Sequence, residues 1–219
     1  MGACYDMAKP DQPDPLMIAR ILSGLPFEKT KPMPADLSRY DNSWYQPGGN
    51  PLKRILWYFV NVIFFISPLN PLIGLKVALL RAFGAEIGQG VIIKPGVNIK
   101  YPWRLKVGDH TWIGERVWID NLADIRIGAN CCLSQGAMLL TGNHDYKKPT
   151  FDLMVQEIVL EDGAWVGAKT VVTPGVTVGN HAVLAVGSVA SQDLEPYTIY
   201  RGNPAVAVKK RKMTEKDPA

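Results

Sequence analysis

The sequence predicts an all-β protein built as a parallel β-helix of stacked triangular coils, and three observations carry that prediction. Large apolar residues recur every six positions in Leu160, Val166, Val172, Val178 and Leu184. Four residues after each comes a small or β-branched one: Ala164, Thr170, Val176, Ala182 and Ser188. Gly167 and Gly179 directly follow two of the large residues. A helix repeats near 3.6 residues and a strand at two, whereas a fixed longer period marks coils that stack on one another. In such a hexapeptide repeat each unit supplies one short flat strand and one corner, so three units close a turn. The large residue points inward, the small one fills the cramped corner, and Gly or Asn at the turns supplies positive φ at little cost.

A chain of 219 residues suits one solenoid with short flanks. Residues 1–50 read as an extended, Pro-rich arm carrying Pro10, Pro13, Pro15, Pro26, Pro32, Pro34 and Pro47 without a sustained period. Met1 to Asp14 lacks a basic start followed by an apolar core, so no secretory signal is expected. Residues 51–84 form an apolar helical cap. Its first part, Leu52 to Ile66, stops at Ser67 and Pro68 and is too short for a bilayer span, which needs about 20 residues. It is expected to pack as a helix over the open first coil. The alternative is an interfacial helix that starts at Lys53 and Arg54 and touches a membrane peripherally through 52–66. A second helix is expected over Leu72 to Phe83, with Gly84 as its stop.

The solenoid spans 85–195. Its beat begins with Ile87, Ile93, Ile99 and Leu105, resets at Val107 to run through Ile113 and Ile119, and resets again to Ile127, Leu133 and Leu139. Thr111, Val117, Cys131 and Ala137 hold the small-residue positions. The resets read as short insertions at corners, and Tyr101, Pro102 and Trp103 mark a bulge. Between Leu139 and Leu160 the beat stops for an excursion loop, 141–159, and 196–219 form a C-terminal tail. The net charge of +4 is ascribed to Lys209, Lys210, Arg211 and Lys212, which leaves no basic face for nucleic acid and points to a local anion partner. Three cysteines, two of them adjacent, make no disulfide framework and imply a reducing cytoplasm.

The excursion carries His144, flanked by Asn143 and Asp145. Imidazole exchanges protons near neutral pH, and Asp145 or Asp152 stands close enough in sequence to hold its ring in one tautomer. A structured excursion from a solenoid is where function usually sits. His110 and His181 lie at corners and are expected to face solvent. Two other functions remain open from the residues alone. A carbonic-anhydrase-like zinc site would need three His, and Pro149 stands where its second loop His is expected; a non-catalytic scaffold would explain the repeat and leave His144 without a purpose.

The segments YPWRLKVGDHTWIGERVWIDN, LSQGAMLLTGNHDY, LEDGAWVGAKTVVTPGVTVG and YRGNPAVAVKKR resemble the colanic acid biosynthesis type of acetyltransferase, related to nodulation, galactoside and maltose O-acetyltransferases. The likeness covers roughly residues 37 to 212. It implies a left-handed β-helix, a homotrimer with sites between neighbouring subunits, and direct transfer of an acetyl group from acetyl-CoA to a hydroxyl of a saccharide or lipid-linked glycan, without a metal. It also implies cytoplasmic work on a surface glycan, at the inner face of the membrane if the apolar helix binds there. Carried over by position, His144 is the general base and the N–H of Ala168 the oxyanion donor. Asn121, and less so Asp120, would contact the acceptor, and Trp165 would wall the pocket unless it is simply an exposed corner aromatic. Val186 and Ser191 would hold pantetheine, with Lys209 and Arg201 on phosphate. Gln192 and Val206 depart from the galactoside relatives, which often carry basic residues there.

Overall fold

The computed structural model describes Met33–Thr214, so most of the expected arm and the last five residues lie outside the described residues. Each inward apolar residue sits directly over the next. Ile87, Val107, Ile127, Leu160 and Val178 stack on a first face. Ile93, Ile113, Leu133, Val166, Leu184 and Tyr200 stack on a second, and Ile99, Ile119, Leu139, Val172 and Ala190 on a third. All are buried. Parallel pairing joins successive coils, giving sheets of five, seven and five strands; the antiparallel edge strand Ala205–Lys210 completes the second. The small-residue positions are buried too, and their hydroxyls are used: Thr111 Oγ1 donates to the Gly128 carbonyl at 2.8 Å and Thr170 Oγ1 to that of Gly167 at 2.7 Å. Such groups cost stability when buried without a partner. Cys131 behaves as a small core residue, and burial pushes its thiol up to about 11.

The corners divide the work of glycine differently from the sequence expectation. Positive φ falls on non-glycine residues such as His110, Asn130, Lys169 and His181 as well as on glycines such as Gly163 and Gly187. Gly167, by contrast, is needed for space: a Cβ there would lie 2.6 Å from the Leu184 carbonyl oxygen of the next coil. The glycine after the large apolar residue therefore lets two coils approach.

The resets also have a common address. Stacked positions 87, 107 and 127 advance by twenty residues, whereas 160 to 178 advances by eighteen. The surplus lies at the corner between the third and first faces, after Ile99 and after Ile119, and includes the 3-10 turn Pro102–Arg104 that forms the expected bulge. The excursion leaves from that same corner and forms an antiparallel hairpin, Gly142–His144 against Leu153–Val155.

The cap closes the first coil. Helix α1 (Pro51–Val60) is capped by Asn50, whose Oδ1 accepts the Lys53 N–H, and it continues as a wider π-turn over Asn61–Ile66; α2 covers Ile73–Ala82. The polar groups of this cap point into the protein, onto backbone atoms for which there is no preceding coil. Trp57 Nε1 donates to the Ile99 carbonyl at 2.9 Å, and Asn61 accepts the Ile99 N–H at 3.3 Å. Lys76, with no exposed surface, donates to the Lys94 carbonyl at 3.1 Å, and burial holds its ammonium below the usual lysine range. Arg81 reaches the carbonyls of Ile87 and Gly88 at 2.7 and 2.9 Å. At the other end Thr198–Gly202 pairs with the last full coil and turns back through Ala205–Lys210.

Ile119, wholly buried, and Ile63, 55% exposed, make a matched test of where the core lies. Ile119→Ala is expected to cost about 2–5 kcal/mol in denaturant unfolding, and Ile63→Ala less than about 0.5 kcal/mol.

Candidate active site

His144 ends the first strand of the excursion hairpin, opposite Leu153. Its Nδ1 lies 2.9 Å from the Phe151 carbonyl oxygen. A carbonyl only accepts, so Nδ1 carries the proton in this contact, and in the neutral ring the lone pair is then on Nε2. Phe151 adopts φ 54°, a conformation uncommon outside glycine, and its ring stacks on the imidazole with centroids 4.6 Å apart. One residue thus grips the histidine by both its backbone and its ring.

The two carboxylates expected to orient His144 are engaged elsewhere. Asp152 accepts from Thr150 Oγ1 at 2.6 Å and from Lys148 Nζ at 2.9 Å, contacts that hold its carboxyl below the usual carboxylate range. Asp145 accepts the Lys147 N–H at 3.1 Å, and its own N–H closes the hairpin on the Asp152 carbonyl. Both shape the loop that presents Phe151.

Beside His144 opens a cavity of about 420 Å³ lined by Tyr40, Asn42, Tyr45, Lys100, Tyr101 and Leu122, with Pro47 and Leu153. Its walls come from two places that the sequence reading did not join. The end of the arm lies along the corner where the insertions and the excursion emerge. The Asp36 N–H donates to the Pro149 carbonyl at 2.9 Å, Tyr45 Oη to that of Leu122 at 2.7 Å, and Arg104 to that of Gln46 at 2.6 Å. Burial pushes the Tyr45 phenol up to about 12, so it stays a neutral donor. The signal available in the sequence was positional: Tyr101 and Leu122 sit in the two surplus segments of the corner that also releases His144.

Asn121 is corrected by the structure. It has no exposed surface, and both ends of its amide are used on Tyr101, whose N–H it accepts at 2.9 Å and whose carbonyl it meets at 2.6 Å. It staples the bulge that carries Tyr101 and presents no surface to a ligand. Asp120 pairs with Lys100 at 3.0 Å, without the alignment of a hydrogen bond, and lines a neighbouring groove beside the cap instead of the His144 cavity.

The remaining candidates lie on another edge. Ala168 is at the corner between the second and third faces; its carbonyl accepts the Gly187 N–H at 2.9 Å, and its own N–H donates to no group among the described residues. Val186 sits exposed at the matching corner of the next coil. Trp165 is a half-exposed residue of the second face, with Nε1 3.0 Å from Ser134 Oγ. Arg201 and Lys209 are exposed on the closing hairpin, paired with Val206 and Ile199. Ser191 alone returns to the His144 edge, at its C-terminal end. Within one chain His144 and Ala168 therefore stand at opposite edges of the third face.

His110 is exposed at the corner between the first and second faces, while His181, at the same corner, is only half-exposed and stacks flat on Tyr197 at 4.8 Å. The three histidines occupy two separate edges, and among the described residues no three His, Cys, Asp or Glu side chains converge.

No protein-family model matches the sequence. The chain is 39% identical over 168 residues, 77% of its length and 92% of the other, to the Escherichia coli (strain K12) protein WcaF, whose assignment as a colanic acid biosynthesis acetyltransferase is itself provisional. The chain belongs to this type of hexapeptide-repeat acetyltransferase. A more distant relative of this acetyltransferase is the galactoside O-acetyltransferase of E. coli, 23% identical over 143 residues, 64% of this chain and 70% of that one. Among solved structures, a hexapeptide-repeat acetyltransferase of Vibrio cholerae in complex with acetyl coenzyme A is 27% identical with a TM-score of 0.67, covering 74% of this chain and 88% of that one.

Asn121→Ala tests the staple. The acetyltransferase should lose about 1–3 kcal/mol of stability, because the Tyr101 amide is left without its partner, and thermal unfolding with and without coenzyme A will read it.

Proposed function

We propose that the protein transfers an acetyl group from acetyl-CoA to a hydroxyl of a sugar, in the cytoplasm, during assembly of a surface polysaccharide. The observation that carries this reading is the His144–Phe151 contact at the mouth of an aromatic and polar cavity. Nε2 removes the proton of the acceptor hydroxyl as its oxygen attacks the thioester carbonyl, and the imidazolium then protonates the departing coenzyme A thiolate. The Phe151 carbonyl keeps Nδ1–H and the ring in place throughout. Tyr40, Tyr45 and Tyr101 offer flat faces and hydroxyls of the sort that sugar rings use, and Asn42 and Lys100 offer polar contacts.

The oxyanion formed on the thioester needs a donor, and the unpaired N–H of Ala168 supplies one from a neighbouring copy. A homotrimer that sets the Ala168 edge of one chain against the His144 edge of the next completes the site, with Trp165, Val186 and Arg201 beside the coenzyme and Ser191 and Lys209 at its further contacts. The saccharide assignment also draws on WcaF and the galactoside enzyme, and the donor on the acetyl-CoA complex of the V. cholerae relative.

Transfer by His144→Ala is expected to fall 10²- to 10⁴-fold, as for a lost general acid-base, with coenzyme A affinity and the fold retained. His110→Ala should keep wild-type turnover. Light scattering should report three chains per particle; an active monomer, or full activity in His144→Ala, would sink the mechanism.

A further inference from the structure

The cap is inside out as a surface element. Its polar side chains, Trp57 Nε1, Asn61, Lys76 and Arg81, are bonded to the first coil, while Leu52, Ile55, Phe59, Ile63 and Ile66 recur at helical spacing on the outer side and are exposed. At the tip between the helices Leu69 is 87% exposed. No charged residue occurs from Ile55 to Leu75. Soluble helices turn the opposite face outward, and a contiguous apolar surface of this extent marks a contact site.

The charged residues of this end are predominantly basic. Residues 51 to 104, the cap and first coil, hold seven Lys or Arg (Lys53, Arg54, Lys76, Arg81, Lys94, Lys100 and Arg104) and one acid, Glu86. The cap and first coil thus carry +6 of a chain whose total is +4, and the rest carries −2. The basic tail, 196–219, carries a further +4, so the remaining residues are acidic. Lys100 and Arg104 pair with Asp120 and Asp124 at 3.0 and 3.3 Å, whereas Lys53, Arg54, Arg81 and Lys94 form no ion pair among the described residues, and Arg81 and Lys94 are exposed. A two-fold contact with a second copy would set these cations against each other, whereas lipid phosphates would neutralise them. Among the described residues no helix is long and apolar enough to cross a membrane, which fits a cap lying in one leaflet.

A groove of about 420 Å³ lies between the cap and the third face, lined by Arg54, Trp57, Tyr58, Asn61, Lys100 and Tyr101 among others. Lys100 and Tyr101 also line the His144 cavity. The two cavities share a wall that leads from the cap to the base.

We propose that the cap seats in the surface of an anionic bilayer, apolar tip among the acyl chains and basic rim on the phosphates, and that the acceptor reaches His144 from that surface as a saccharide carried on a lipid phosphate. The acceptor half of this rests on the transfer reading of the His144 cavity; the docking half does not. The test is flotation of the full-length protein with vesicles of phosphatidylethanolamine and phosphatidylglycerol, against pure phosphatidylcholine, together with Ile63→Glu/Leu69→Glu. These two side chains are exposed, and circular dichroism and light scattering of the variant should match wild type.

Wild type should float with the anionic vesicles, less so at high salt, and the variant at least tenfold less. Acetylation of a lipid-linked saccharide in such vesicles should fall at least tenfold in the variant, while acetylation of a soluble saccharide stays level. Failure of the wild type to float, or a variant that floats as well, overturns the docking. A change in oligomeric state without a change in flotation assigns the face to a second copy and overturns it equally. Equal loss on soluble and lipid-linked acceptors overturns the acceptor route. Flotation with no acetyl transfer to any acceptor leaves the docking supported and removes the transfer reading instead.

Discussion

Parallel coils satisfy one another and leave their ends unsatisfied. Every strand in the stack takes its backbone partners from the coil above and the coil below, so the first and last coils present unpaired groups and open apolar interior. The C-terminal end solves this with more β-structure, by folding Ala205–Lys210 back on Thr198–Gly202. The N-terminal end has no strand to spare and uses side chains. Trp57, Asn61, Lys76 and Arg81 take the backbone atoms of Ile87, Gly88, Lys94 and Ile99 one at a time. Committing the polar groups of two helices to this task leaves mainly apolar residues to face outward. The exposed surface of the cap follows from how the coil is closed.

The second organising fact is that surplus chain collects at one corner. The bulge at Pro102–Arg104, the segment after Ile119 and the hairpin bearing His144 all emerge between the third and first faces. Stacked one above another, they build a wall that no single insertion could make, and the arm lies against it through Tyr45 and Gln46. The opposite edge, with Ala168 and Val186, stays close to a regular repeat. The irregular edge and the regular one are thereby separated by the width of one face.

Much of this was legible in the sequence because the repeat constrains every sixth side chain. Leu160 through Leu184 and their small partners fixed the coil before any coordinates, and the corner Gly84 fixed the end of α2. Local pattern also located the excursion that carries His144. It failed where a role depends on a neighbour distant in sequence. Asn121 looks like a ligand contact in isolation, and only the Tyr101 backbone, twenty residues away, reveals it as a staple. The grip on His144 comes from a main-chain carbonyl, which has no signature in residue type, while the visible carboxylates of Asp145 and Asp152 serve the loop. Tyr40 and Tyr45 belonged to an arm with no period, so nothing in the chain said which surface they would meet.

The steps of twenty residues carry a consequence for how such a protein can diversify. A corner insertion leaves the sheet between two stacked positions and returns to the same register, so Ile99 still meets Ile119 and Leu139 below it, whatever the length of the detour. Segments at that edge can lengthen, shorten or be exchanged without touching the stack or the far edge. A lineage is then free to reshape that edge by editing three short detours, while the far edge is inherited unchanged.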